Sequence, residues 1–522
     1  MSQQTSGGLE RGADDQTFHD VIEGYCGSLS YAPGETATAH VSTHAAAYDL
    51  TVERWGAERE LVWARHSLTG TYVAPPADAD ANGCGWPVSI EIPIADTWRS
   101  GFYLVSFLAH DGEEGRRVAH TGFIVRAGTT RANAVLVMAT NTWNAYNTWG
   151  GKSLYTGGHQ VSFARPWARG MLVRPEVDRD DRKSRPVHTA EDPDPDGVVF
   201  QQYRLARAYP SAIGSTGWFT HARRFVEWAE RDGRSFDMVA SSDLERDPHL
   251  LDGYTLVLGV GHDEYWSAGQ RDAIEAHVEG GGHYASFSGN TMFWQVRIAD
   301  GQRGPAMVGH KYAAHTADPV VGTSDEGTMS GMWADPLVDR PEWTFLGAGS
   351  AFGLYARFGR GTARGVGGFI VHRADHWLFD GTDLGYGDVL GNDDGIVGYE
   401  TVGTPIQLDE LNLPVPRERD DLPEMEIVAV TPATNLGVGD YPKSVAALSD
   451  QGDLEFIADR IFGGGPDALA KARHGNAVMA VARPFGESGG EVVVCGSTDW
   501  VFGLRDPLVG RVTANILDRY LT

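Results

Sequence analysis

The chain has 522 residues, 42% of them hydrophobic and 22% charged, a composition typical of a folded globular protein rather than a disordered or fibrous one. Asp and Glu number 70 against 43 Lys and Arg, and the resulting net charge of -27 argues against nucleic acid or an anionic membrane as a partner. No apolar run is long enough to span a bilayer, and the N-terminus lacks the features of a signal peptide, so we expect a cytoplasmic protein. Cys26, Cys84 and Cys495 are too few for a disulfide framework, and we expect all three to be reduced and buried.

The first 130 residues have the pattern of a β domain. Residues 1–18 are polar and Gly-rich without periodicity, which predicts a disordered N-terminus. Residues 19–128 contain short stretches of alternating polarity, separated by Gly, Pro and Asp turns, as in an antiparallel β-sandwich. The simplest function of such a domain is scaffolding.

An α/β pattern begins at about residue 131. Leu256–Val260 and Tyr284–Phe287 read as buried strands, and the helix between them is predicted to start at a capping box of Ser267 and Gln270 and to stop at Gly280–Gly282. A strand, a crossover helix and a second strand form a parallel pair, so both strands end at the same edge of the sheet. Further strands near Val135 and Met238 predict a doubly wound core.

The remaining segments are less regular. The charged, Pro-rich stretch 173–197 is predicted to be a surface excursion, and the Gly-rich stretch of about 300–425 a β-rich insertion into the core. Residues 426–522 return to α/β character and end in a helix.

Polar residues that follow the predicted strands are the best candidates for chemistry, because the sequence contains no HExxH, Walker or GxSxG motif. The motif GHDEYWS supplies His262 and Glu264, SGN supplies Asn290, and an aromatic loop supplies Tyr146 and Tyr155. In an extended turn, residues at i and i+2 point to the same side, so His262 and Glu264 could divide metal binding and proton transfer. The alternative is structural: a helix cap or ion pair at HDE, and tyrosines that are ordinary core or rim aromatics.

Five stretches, NTWNAYNTWGGKSLY, VSFARP, GHDEYWS, GGHYASFSGNTMFW and CGSTDWVFGL, together resemble the family of the large (beta) subunit of N,N-dimethylformamidase. The resemblance covers most of the chain. It implies an immunoglobulin-like β-sandwich over residues 19–128 and a class I glutamine amidotransferase-like α/β core over residues 131–522. It also implies a mononuclear Fe(III) site with Tyr146, Tyr155 and Glu264 as metal ligands and His262 and Asn290 as catalytic residues, with Tyr203 as the fallback tyrosine.

The implied site suits amide hydrolysis. Two phenolates and a carboxylate supply three negative charges and only hard oxygen donors, which a ferric ion prefers. His262 is then expected to serve as general base and general acid, and Asn290 to bind the substrate oxygen or its oxyanion. The side chains expected to line a small pocket are Trp143, Trp149, Tyr265 and Phe293.

The sequence therefore predicts an iron-dependent hydrolase of C–N bonds that acts on a small or N-substituted amide. The alternative is a non-catalytic, metal-free amidotransferase-like protein that binds a small neutral metabolite or a sugar. The formamidase works with a small subunit, and both a small accessory subunit and a homo-oligomer stay open for this chain.

Overall fold

A computed structural model describes residues 21–112, 116–175, 202–210, 212–354, 367–435 and 452–521 of the protein. The predicted disordered stretch 1–18 and most of the predicted excursion 173–197 lie outside these residues.

Two sheets built from the first eight strands share one hydrophobic core. The strands are β1 Ile22–Cys26, β2 Ser30–Tyr31, β3 Thr36–Thr43, β4 Ala47–Trp55, β5 Arg59–Thr69, β6 Ile90–Pro93, β7 Gly101–Ala109 and β8 Val118–Val125. One sheet has the order β1-β3-β6 and the other β2-β8-β7-β4-β5, and every pairing except β2 with β8 is antiparallel. Leu50 and Val52 of one sheet pack with Ala39 and Val41 of the other, because alternate residues of each strand face inward. The immunoglobulin-like identity of this unit stays a prediction.

A nine-stranded sheet forms the centre of the rest of the chain. The strands of this region are β9 Ala134–Met138, β10 Gln160–Ser162, β11 Asp237–Ala240, β12 Leu256–His262, β13 Tyr265–Ser267, β14 His283–Gly289, β15 Trp294–Gly301, β16 Gly304–Val308, β17 Phe369–Val371, β18 Val389–Leu390, β19 Ile406–Leu408, β20 Pro414–Pro416, β21 Glu424–Thr434, β22 His474–Arg483 and β23 Val492–Cys495. The order in the large sheet is β11-β9-β12-β14-β23-β22-β21-β17-β18. Its first five strands are parallel and the others join antiparallel. The four strands predicted for the core are therefore neighbours in one parallel block.

Helices cover both faces of this block. The described residues include the α-helices Ala79–Asn82, Thr140–Tyr146, Arg223–Arg231, Ser241–Arg246, Ala268–Glu279, Ala314–Ala317, Trp343–Leu346, Asp453–Arg460, Gly465–Arg473 and Pro507–Leu521. Leu256 and Leu258 of β12 pack in a cluster with the helices Arg223–Arg231 and Pro507–Leu521. Val257 faces the opposite side and packs with the helix Ala268–Glu279. The sheet is thus the middle of three layers, and the class I amidotransferase-like assignment stays a prediction.

The helix between β12 and β14 begins and ends as the sequence predicts. Ser267 Oγ accepts a hydrogen bond from the backbone N–H of Gln270 at 3.4 Å, and the helix stops at Gly280. The reciprocal half of the predicted capping box is missing, because the Gln270 side chain instead accepts a hydrogen bond from Asn141 Nδ2 at 3.2 Å. The strands β12 and β14 are parallel and pair His262 with Gly289, so the residues that follow them emerge at one edge.

Two predicted segments differ from the structure. The aromatic segment after β9, predicted to be a loop, begins with the helix Thr140–Tyr146. All residues of this helix, including the polar ones, are buried and not on the surface. The region 300–425 has less strand than predicted: its described part contains β16, the four short strands β17 to β20, the ends of β15 and β21, and otherwise turns and short helices. Gly391, with positive φ, directly follows β18, and Gly347, also with positive φ, ends the helix Trp343–Leu346.

All three cysteines are unpaired and buried, as predicted. Within the described residues, no helix is both long enough and apolar enough to cross a membrane.

Candidate functional site

The five residues predicted to form the site meet at the edge where the parallel strands end. Tyr146 closes the helix that follows β9, and His262 is the last residue of β12. Glu264 lies two residues further on, and Asn290 directly follows β14. Tyr155 reaches the same place from the segment between that helix and β10.

The carboxylate of Glu264 is the centre of the cluster. Tyr146 Oη donates to its Oε2 at 2.9 Å, and Tyr155 Oη lies 2.8 Å from both carboxylate oxygens. Trp294 Nε1 donates to Oε1 at 2.7 Å. The backbone N–H of Glu264 donates to Thr142 Oγ1 at 3.0 Å, which ties the turn to the helix that carries Tyr146. Three oxygen-bearing side chains therefore converge, of which Tyr146 and Glu264 are buried and Tyr155 is partly exposed.

The two tyrosines lie against each other and beside a buried lysine. Their ring centroids are 4.2 Å apart, and Lys311 Nζ lies 3.1 Å from the centroid of the Tyr155 ring. Burial, followed by the charge of Glu264, holds the pKa of both phenols well above the ordinary value. In the structure both phenols act as donors to the carboxylate. Burial also raises the pKa of Glu264, while the positive charges of His262 and Lys311 act against that rise.

The proton positions on His262 follow from its contacts. Its Nδ1 lies 2.9 Å from the carbonyl oxygen of Ser215, and since a carbonyl only accepts, Nδ1 carries a proton. Its Nε2 lies 2.6 Å from Glu400 Oε2 and 3.3 Å from Glu264 Oε2. Burial alone would lower the pKa of His262, but the charges of Glu400 and Glu264 raise it to about 9. The nitrogen that gains and loses a proton is therefore Nε2.

Asn290 lies between His262, Glu400 and Ser350. Its Nδ2 donates to Glu400 Oε2 at 3.0 Å and lies 3.3 Å from His262 Nε2. Its Oδ1 accepts a hydrogen bond from Ser350 Oγ at 2.8 Å. The backbone of Asn290 is left-handed, with φ 51°, a conformation that Asn tolerates better than most residues.

Three residues of the cluster were not among the predicted site residues: Glu400, Lys311 and Trp294. Glu400 lies in the stretch GIVGYETVG, in which a Tyr-Glu pair interrupts an apolar, Gly-rich run. That interruption is the signal that could have marked it. Trp294 ends the SGNTMFW segment that supplied Asn290, whereas nothing in the local sequence distinguishes Lys311.

A cleft with about 500 Å³ of empty volume opens from the cluster. Its lining residues are Tyr146, Tyr155, Glu264, Asn290, Phe293, Tyr312, Tyr399, Glu400, Asp453, Phe456 and Ile457. Of the four residues predicted to line the pocket, Phe293 is the one found here.

The other three predicted pocket residues lie elsewhere. Tyr265 is fully buried, edge-on to the rings of Tyr146 and Tyr155. Trp143 borders a separate small cavity on another side of His262, and Trp149 packs edge-on against Trp86 of the β-sandwich. All three side chains are buried, but they lie in hydrophobic packing beside the cleft and not in its lining.

Tyr203, the fallback ligand, lies away from the cluster. It donates from Oη to the carbonyl of Pro175 at 3.1 Å and belongs to a different hydrophobic cluster from Tyr146.

The oxygen atoms of the cluster fit a metal ion. In the described residues no group of three His, Cys, Asp or Glu side chains could hold a metal, so a metal site here would depend on the phenol oxygens. Two oxygens bound to one cation at about 2 Å each lie roughly 3 Å apart. The distances from Glu264 to Tyr146 and Tyr155 are 2.9 and 2.8 Å. These distances are hydrogen bonds in this structure, and they are also compatible with the binding of one cation by a set of donors that contains only oxygen.

Comparison with known proteins identifies the family. Residues 49–514 match the family described as N,N-dimethylformamidase beta subunit-like, C-terminal, and the chain belongs to this family. A curated relative is the N,N-dimethylformamidase beta subunit of Paracoccus aminophilus, which is 23% identical over 225 residues. The match covers 41% of this chain and 28% of the relative. The resemblance inferred from the motifs is therefore confirmed at the level of the family.

Proposed function

We propose that this protein is an iron-dependent hydrolase that cleaves the C–N bond of a small or N-substituted amide. Membership of the dimethylformamidase-like family supports a hydrolase of this general kind. The observation that carries the proposal is the convergence of the oxygens of Tyr146, Tyr155 and Glu264 next to the His262–Glu400 pair. The carboxyl ends of parallel strands are also where α/β sheets commonly bind their ligands.

Tyr146, Tyr155 and Glu264 would hold the ion. When ionised they supply three negative charges from hard oxygen donors, which suits a ferric ion. Burial raises the pKa of both phenols, so their ionisation near neutral pH requires a positive charge beside their oxygens. When bound, the ion supplies Lewis acidity that polarises an amide carbonyl or lowers the pKa of water.

His262 would move the proton. Its Nδ1 proton is held by the Ser215 carbonyl, so Nε2 is the atom that transfers protons. Because the charges of Glu400 and Glu264 raise the pKa of His262 to about 9, Nε2 is protonated at neutral pH without an ion. A cation held by Glu264 would lower this pKa, and the neutral imidazole would then take a proton from the attacking water and return it to the leaving nitrogen. Glu400, 2.6 Å from Nε2, stabilises the imidazolium that forms between these steps. Glu400 thereby joins the catalytic residues expected from the sequence.

Asn290 would position the pair and bind the substrate. One N–H of its amide donates to Glu400, and its oxygen is fixed by Ser350 Oγ. The second N–H can then donate to the substrate oxygen as negative charge develops on it. The side chain of Asn290 lines the cleft, where a bound amide would contact it.

Iron content, colour and amine release together test the proposal. Ferric phenolate absorbs visible light, so purified protein loaded with iron should be coloured, hold about one iron per chain, and release amine from formamides or acetamides. Tyr155→Phe and Glu264→Ala should weaken iron binding and bleach the colour. His262→Ala should keep iron and colour and lose turnover by about a hundredfold or more.

Tyr312→Phe is the matched control, since it removes a phenol oxygen from the same cleft without touching Glu264. It should leave iron and colour unchanged. Wild-type protein that stays colourless and iron-free after aerobic and anaerobic loading, and releases no amine, would refute the proposal. That result would favour the alternative of a non-catalytic protein that binds a neutral metabolite or sugar.

A further inference from the structure

The helix Asp453–Arg460 contributes one wall of the cleft that opens from the Glu264 cluster. We infer that Phe456 and Ile457 on this helix set the size of the substituents that a substrate amide can carry. The inference rests on the proposed function and deepens it, because it assigns the residues that determine which substituents the same site accepts.

Phe456 lies one ring away from the proposed metal ligand. Its ring centroid is 4.8 Å from that of Tyr312 and 6.0 Å from that of Trp294. The indole of Trp294 donates directly to Glu264. Phe456 and Ile457 both line the cleft that opens from Glu264, so alkyl groups that extend into this cleft from a carbonyl near Glu264 would contact them.

The wall is held in place by core packing. Leu454, Ile457 and Ala458 are buried in the same hydrophobic cluster as Tyr146 and Trp294. Tyr312 Oη also donates to Asp453 at the start of the helix. Moving the wall outward to admit a larger group would expose these apolar side chains to water, which costs free energy in proportion to the area exposed.

Steady-state kinetics on N,N-dimethyl-, N,N-diethyl- and N,N-dibutylformamide test the role of Phe456. Phe456→Ala should raise the ratio of kcat/KM for the dibutyl over the dimethyl amide at least about tenfold, because removing the ring opens space for several methylenes. Phe456→Leu should give a smaller rise and serves if the alanine variant folds poorly. The control is Asp459→Ala on the exposed side of the same helix, which should leave the ratio unchanged.

A binding experiment separates this inference from the proposed function. Dimethyl and dibutyl methanesulfonamides are neutral and tetrahedral at sulfur and are not cleaved as amides, so calorimetry measures their affinities without turnover. The preference for the dimethyl compound should be strong in the wild type and fall about tenfold in Phe456→Ala. If the preference is unchanged in the variant, the inference that Phe456 sets the substituent size is refuted, even if the wild type hydrolyses amides.

The iron-loaded wild type could hydrolyse no amide and still show a sulfonamide preference that depends on residue 456. That result would refute the proposed function and leave the inference about Phe456 standing. Absence of both hydrolysis and sulfonamide binding in the wild type would overturn both.

Discussion

A buried carboxyl group behind the cleft, Glu342, predicts a stability that depends on pH. Its side chain is fully buried, and Oε1 accepts a hydrogen bond from the backbone N–H of Ser350 at 2.9 Å. Its Oε2 has no hydrogen-bond partner among the described residues. Burial therefore raises the pKa of Glu342 from 4.5 to about 7.

The direction of the effect follows from the two pKa values. Between pH 4.5 and about 7 the unfolded chain ionises this carboxyl while the folded protein keeps the proton, so the free energy of unfolding falls as the pH rises. Below pH 4.5 the two states bind the proton alike and nothing is lost. Above pH 7 the cost is complete, and a shift of this size corresponds to about 3 kcal/mol.

Glu342→Gln should remove this pH dependence. The amide adds a donor that lacks a partner, which costs about 1–3 kcal/mol at every pH. The test is therefore whether the difference in unfolding temperature between variant and parent changes with pH. Calorimetry should show that the variant gains a few degrees relative to the parent at pH 8 compared with pH 5.

Glu410→Gln, which changes an exposed carboxyl group, should show no such movement. A difference between the Glu342→Gln variant and the parent that is equal at both pH values would refute the reasoning, because Glu342 would then ionise in the folded protein as readily as in the unfolded chain.

Two further predictions concern contacts around the site and between its supporting layers. Trp294→Phe removes the indole donor to Glu264 and should weaken iron binding about 10–100-fold in chelator competition; unaltered affinity would mean that this hydrogen bond does not orient the carboxylate. Arg54→Ala should lower the free energy of unfolding by about 2–3 kcal/mol, since it leaves the half-buried Glu230 without its ion-pair partner on the β-sandwich. Arg59→Ala, which breaks a more exposed ion pair, should cost less than about 1 kcal/mol, and equal losses would contradict the assigned role of burial.

Local pattern was sufficient for the part of the site that lies on neighbouring strands. The apolar run of β12, the Ser267 cap and the glycines after the helix are short-range signals, and together they predict a parallel pair. Once the pair is parallel, His262, Glu264 and Asn290 must emerge at one edge, as the structure shows. The contact of both tyrosines with Glu264 needed the family resemblance, because no local rule says how far the segment after β9 folds back.

The residues that were missed come from segments whose position depends on tertiary structure. Glu400 contacts Asn290 across 110 residues of sequence, from a Gly-rich stretch with no clear period. Lys311 follows the β15–β16 hairpin and lies beside Tyr155 because β16 pairs with β10, the strand that follows the segment of Tyr155. Trp149 was predicted to line the pocket but lies elsewhere. Its aromatic side chain predicts burial, but the local sequence does not indicate in which of two neighbouring cores it packs.

Strained backbone conformations cluster around the cleft. Four of the eight described non-glycine residues with positive φ border the site or its turns: Asn290, Met292, Lys311 and Glu400. Each such conformation costs of order 1 kcal/mol or more and persists only where the surroundings enforce it. Met292 is fully buried, and the backbone of Lys311 donates to the carbonyl of Ser330, so core packing and hydrogen bonds supply that constraint. These contacts fix the orientation of Asn290 and Lys311 in the folded protein. Under the proposed function, groups held in this way would stabilise charge on a substrate without reorganising.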